Sequence, residues 1–74
     1  MALSDNLRRC RERLQLSITA ISGDWARKHG HGKDACRVRW HQYESGRTLP
    51  SVETLLELAE VLGVEPGELL GDRK

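Results

Sequence analysis

Residues 43–70 read YESGRTLPSVETLLELAEVLGVEPGELL, and their punctuation is that of a helix end followed by two further helices. Gly46 suits a left-handed residue just past a helix C-terminus. Pro50 and Ser51 then open a helix, since a serine at the N-cap can accept from the free amides of the first turn. Val52, Leu55, Leu58, Ala59 and Leu62 recur at helical spacing and predict one inward-facing stripe, which Gly63 ends. Pro66 falls in the first turn of a last short helix, with Leu69 and Leu70 as its core contribution.

Upstream, residues 28–44 read KHGHGKDACRVRWHQYE. The two glycines break the chain, and Asp34 can cap a third helix running to about Glu44. At about 100° per residue, Cys36, Trp40 and Tyr43 share one side and form a core stripe. Arg37, Val38, His41 and Gln42 share the opposite side, with Arg39 at its flank. Further upstream, Ser17 is an N-cap for ITAISGDWARK, where Ile18, Ile21 and Trp25 lie on one helical face. Gly23 interrupts this segment. One long helix over residues 19–28 and a short turn leading into a helix that starts near residues 22–24 are both compatible with it. At the front, Leu3, Leu7, Cys10 and Leu14 make another stripe, capped by Ser4 or Asp5. Cys10 reads as a small buried hydrophobe. No strand pattern appears, so the chain is predicted to be all-α, five helices in a single domain over residues 1–74.

Seventy-four residues support one core and no deep catalytic cleft. No nucleophile stands with a base and an orienting partner, so no enzyme activity, small-molecule substrate or cofactor is expected. The start of the chain turns charged within a few residues, which predicts no secretory leader. The two cysteines, Cys10 and Cys36, are then expected as reduced thiols in the cytoplasm. The longest uncharged run, LQLSITAISG, is far too short to cross a bilayer. Twelve Lys/Arg oppose eleven Asp/Glu for a net charge of +1, but residues 1–47 carry +5 and residues 48–74 carry −4. A basic part beside an acidic part is the footprint of a phosphate-backbone partner.

From Leu7 to Leu70 the chain resembles the lambda-repressor-like, Cro/repressor-type helix-turn-helix family. The resemblance rests on LRRCRERLQLS at the front, on the Glu-x-Gly-Arg-x-x-Pro run from Glu44 to Pro50, on the Leu-Leu-x-Leu-Ala-x-x-Leu-Gly-Val helix and on the closing Glu-Leu-Leu. It implies a five-helix DNA-binding domain whose third helix enters the major groove of a double-stranded operator, acting as a transcriptional regulator and homodimer. Arg37, Val38 and Gln42 stand where the family places base-reading side chains. Their chemistry suits guanine, the thymine methyl and adenine respectively. Arg39, His41, Ser17, Arg47 and Thr48 are expected phosphate contacts, which position without reading sequence, and Lys33 in the enlarged turn is a further one that the family's short turn lacks. The family pairs a first-helix arginine with the glutamate ending helix 3, here Arg11 and Glu44.

The chain departs from the family between Ser17 and Glu44, where it is about eight residues longer than the usual spacing. If Ile21-Ser22 stands where the family has Leu-Ala, the excess lies in the end of helix 2 and the turn, and Ser17 keeps its capping role. If Trp25-Ala26 stands there, the excess divides before and after helix 2. Lys28, His29, His31 and Lys33 in the enlarged turn are candidates for an added backbone or minor-groove contact.

A metal reading competes for the same residues, since His29, His31, Cys36 and His41 are zinc-type ligands. Their spacing matches no zinc module, and helical geometry sets Cys36 and His41 roughly 140° apart, so no metal is expected. A phage or plasmid repressor, an antitoxin, a restriction–modification controller and a protein-binding adaptor share this fold. Arg37 and Gln42 on the outer face argue against the adaptor. With the chain ending just after helix 5, dimer contacts are expected from Val64, Leu69 and Leu70 with the acidic surface of helix 4.

Overall fold

The computed structural model describes residues 3–71. The helices are α1 (Leu3–Arg13), α2 (Ile18–His29), α3 (Lys33–Glu44), α4 (Val52–Leu62) and α5 (Pro66–Leu70), with no strand among the described residues. The fold is therefore all-α. Helix α2 packs on α3 and α4, while α1 packs on α3 and α5.

Helix α1 buries Leu3, Asn6, Leu7 and Cys10. The Asn6 side-chain amide donates to the Leu69 carbonyl at 2.9 Å, which ties α1 to α5 and satisfies a polar group inside the core. Ser4 and Asp5 lie within the first turn of α1 and do not cap it. Leu14 also departs from its expected place on the stripe, because the helix closes at Arg13. The next two amides turn back to the Arg11 and Glu12 carbonyls, and Gln15 takes a left-handed φ of 60°. That turn swings Leu14 outward, leaving it 45% exposed.

Helix α2 is one uninterrupted helix. Ser17 caps it, its Oγ accepting from the Ala20 amide at 3.1 Å. Both residue pairs considered for the inward position, Ile21-Ser22 and Trp25-Ala26, are buried. They are one helical turn apart and so share a face. Ser17 keeps its capping role with both pairs inside. Gly30 stops the helix at φ 70°, and both its amide and that of His31 reach the Ala26 carbonyl. Gly23, in the middle of α2, has no positive φ, and a Cβ there would meet nothing within 4 Å. Neither backbone nor packing asks for glycine, yet it costs the helix about 0.5–1 kcal/mol relative to alanine.

Helix α3 starts one residue before the expected Asp34 cap. Gly32 is the N-cap and makes no side-chain cap bond, and Asp34 falls in the first turn, where its charge complements the helix dipole. Helix α4 is capped by Ser51, whose Oγ accepts from the Thr54 amide at 3.2 Å. Leu55, Leu58, Ala59 and Leu62 are buried. Val52 is not: as the first residue of the helix it projects past the core edge and is 73% exposed. In α5, Leu69 is fully buried while Leu70 is 38% exposed, since consecutive helical residues point about 100° apart. Leu69 therefore belongs to the core of this chain and is not available to a partner.

Trp25 and Trp40 anchor the centre, both essentially inaccessible, with ring centroids 6.0 Å apart in an edge arrangement. Aromatic rings favour this geometry because edge hydrogens meet the electron-rich face. Cys10 and Cys36 are free and buried.

Candidate nucleic-acid interface

The core decides which side of α3 is available. Cys36, Trp40, Tyr43 and Glu44 turn inward. Burial pushes the Cys36 thiol and the Tyr43 hydroxyl above their ordinary pKa values, so neither is a reactive anion near neutral pH. Arg37, Val38, Arg39 and His41 lie exposed on the outer side, and Gln42 is half-buried beside them. Arg37 Nη1 lies 3.5 Å from Asp34 Oδ1, an exposed pair at i,i+3.

Five of the nine expected contact residues fall into two groups, and Val38 and Arg39 lie exposed outside both. Lys33 and Arg37 meet Thr19, Gly23 and Arg27 along a groove between α2 and the first half of α3. His41, Gln42 and Arg47 line a shallow depression at the other end of α3. Ser17 and Thr48 are exposed and line neither. Ser17 Oγ already accepts from the helix, which leaves its hydroxyl proton free to donate.

Glu44 ends α3 as a buried carboxylate. Arg11 donates to it through Nε at 2.6 Å and Nη2 at 3.0 Å, and Trp40 Nε1 donates at 2.7 Å. Arg11 Nη1 reaches the Leu16 carbonyl at 2.8 Å. The fork geometry of the guanidinium suits this two-oxygen contact, and the hydrogen bond to Glu44 raises the Arg11 pKa further. One side chain thus joins α1, the turn before α2 and the end of α3, and fixes the angle at which α3 is presented.

The enlarged turn is docked onto α4. Glu57 Oε1 accepts from Trp25 Nε1 at 2.8 Å and lies 2.9 Å from His31 Nε2, a hydrogen bond that His31 makes with its proton on Nε2. These bonds, the one from Trp25 first, hold the Glu57 carboxyl below its ordinary pKa. His29 Nδ1 is 4.0 Å from Glu57 Oε2, and its Nε2 is 3.2 Å from Glu60 Oε1 but out of line for a hydrogen bond. The two histidines are thus turned toward the Glu57 and Glu60 carboxylates of α4, while His31 also lines a shallow depression with Gly23, Arg27 and Lys33. Sequence reasoning missed Glu57 as the anchor. It stands opposite the turn only because α2 packs on α4, and nothing in its local sequence marks it. Arg27 and Gly23 were missed as groove residues for the same reason, although the 19, 23, 27 spacing on one helix was a usable signal.

The four zinc-type side chains do not converge: Cys36 is in the core, His41 is exposed, and His29 and His31 point to α4. Among the described residues, no three His, Cys, Asp or Glu side chains are placed to hold a metal ion. None of the described helices is long and apolar enough to cross a membrane.

The family described as the helix-turn-helix domain matches this chain over residues 2–71. The chain belongs to that family. No curated protein and no solved structure matches it. In this helix-turn-helix protein, α2 and α3 are consecutive helices joined by a short turn and packed on each other. The family is one of DNA-binding regulators, in which the second helix of the motif lies in the major groove.

Proposed function

We propose that this helix-turn-helix protein is a sequence-specific transcriptional regulator of the lambda-repressor-like type, acting as a repressor and binding a two-fold symmetric operator as a homodimer. The observation that carries this reading is the division of α3. Its Trp40 side is locked into the core, while Arg37, Val38 and the edge of Gln42 face outward with donors and an apolar surface suited to base edges. Arg37, Val38 and Gln42 read bases. Lys33, Arg39, His41, Arg47, Ser17 and Thr48 hold phosphates, which sets the register of α3 in the groove. The acidic surface of α4, with Glu53, Glu57 and Glu60, is directed away from the DNA. A second copy covers the aliphatic residues that α4 and the preceding loop leave outside, Leu49, Val52 and Leu56, which are 78%, 73% and 51% exposed.

Selection of bound sequences from a random DNA pool, followed by titration at several salt concentrations, tests this directly. A palindromic site with a fixed half-site spacing and steeply salt-dependent binding is expected. Arg37→Ala and Gln42→Ala each cost roughly 1–3 kcal/mol on the selected site and relax one base position, while Arg47→Ala weakens all sequences alike. Unchanged base preference in both α3 variants refutes the assignment of the reading face.

A further inference from the structure

Gly23 lies in the interior of α2 with ordinary helical backbone, and a Cβ there would enter open space. That open space is the groove between α2 and the first half of α3. Thr19, Gly23 and Arg27 follow one another along its α2 side at four-residue spacing, and Lys33, Asp34 and Arg37 form the α3 side. The two acids near the groove are each turned to an arginine of the same helix, Asp24 to Arg27 and Asp34 to Arg37. Lys33 is exposed and has no ion-pair partner among the described residues. The groove, to which the small side chains of Ala20 and Ser22 also contribute, therefore has an open position at Gly23, a cation on each side, and Arg37 on its α3 side.

A glycine that the fold does not need, set where a helix faces cations across an open channel, is the arrangement a closely approaching backbone requires. We propose that the lengthened segment between Ser17 and Glu44 gives this protein an additional DNA-backbone site, in which a phosphodiester seats over Gly23 between Arg27 and Lys33. Arg27 then exchanges Asp24 for the phosphate, leaving Asp24 to water. Thr19 supplies a hydroxyl donor one turn before Gly23, and Arg37 on the α3 side places the site beside the base-reading face. The inference deepens the DNA-binding reading and rests on it. It assigns a use to the added length of that segment, which the docking of the turn on α4 leaves unexplained.

The test uses the full chain and the site recovered from a random DNA pool. Gly23→Ala should raise the thermal midpoint by about 2–8 °C, yet bind that site roughly tenfold more weakly with unchanged base preference. Arg27→Gln should reduce the slope of log K against log salt by about one. A scan of single uncharged methylphosphonate linkages should reveal one linkage that weakens the wild type and leaves Arg27→Gln unaffected. Wild-type affinity in Gly23→Ala overturns the proposal. So does a midpoint that Gly23→Ala fails to raise, because the fold itself would then need the glycine. Protection of the wild type, but not of Arg27→Gln, against thermal unfolding by millimolar inorganic phosphate, with no sensitive linkage in DNA, replaces it with a free-anion site. If the wild type binds no DNA in the pool, the regulator reading fails first and the backbone site falls with it. That result is distinct from DNA binding that ignores Gly23.

Discussion

Replacing Arg11 by methionine removes three of the hydrogen bonds that hold α1 to the rest of the fold, two to Glu44 and one to the Leu16 carbonyl. The Glu44 side chain is 6% exposed, so its carboxylate is left in the core with Trp40 Nε1 as its hydrogen-bond donor and Arg8 at 3.9 Å. Stranding one member of a buried pair costs about 3–5 kcal/mol, because desolvation of the remaining charge is no longer offset. A chain of 74 residues has a total stability of roughly 4–11 kcal/mol, so Arg11→Met should lose about a quarter of it or more, and all of it at the lower end of that range. Urea titration followed by tryptophan fluorescence measures this, since Trp40 contacts Glu44 directly. The double variant Arg11→Met/Glu44→Leu removes the stranded charge and should recover most of the loss, because apolar replacement of a buried pair is often neutral. A cost below about 1 kcal/mol for Arg11→Met is the value of an exposed pair. It would refute the view that Glu44 needs Arg11.

Three further outcomes follow from the same geometry. The Glu57 carboxyl is held below its ordinary pKa of 4.5, by Trp25 first and His31 second, so its contribution is complete above that value and lost as pH falls through the lower folded value. Acid unfolding monitored below about pH 4.5 should therefore be less steep in Glu57→Gln, and an unchanged acid profile counts against Glu57 as the anchor of the turn. Gln15 holds a left-handed φ of 60°, so Gln15→Gly should be neutral or stabilising by up to about 1 kcal/mol, and Gln15→Val clearly destabilising; calorimetric midpoints in the opposite order contradict this. Val52→Asp with Leu56→Asp should convert a dimer to a monomer in sedimentation while keeping the helical circular dichroism, with a thermal midpoint that no longer depends on protein concentration. A wild type that sediments as a monomer on its own operator refutes the dimer.

Much of the fold was legible because it depends on local signals. Glycine at 30, 46 and 63, serine at 17 and 51, and the 3.6-residue recurrence of Leu55, Leu58 and Leu62 act over one or two turns, and each sits where its own chemistry requires. The misplacements were at edges: Leu14, Val52 and Leu70 carry the right hydropathy but lie one step past the core, and Asp34 is a good cap that the chain does not use as one. Periodicity identifies a face, but not where the neighbouring helices stop covering it.

By itself, then, the sequence determined the five helices, the inward faces of α3 and α4, the basic and acidic parts, and a resemblance that named the glutamate and arginine of the ion pair. Tertiary structure decided that α2 is one long helix burying Ile21 and Trp25 together, that the His-Gly-His-Gly turn is fastened to Glu57, and that Gly23, Arg27 and Lys33 share a groove. The reason is range. Helix caps and stripes are set by neighbours within a few residues, whereas Trp25 and Glu57 are 32 residues apart and meet only because two packed helices bring them to the same place.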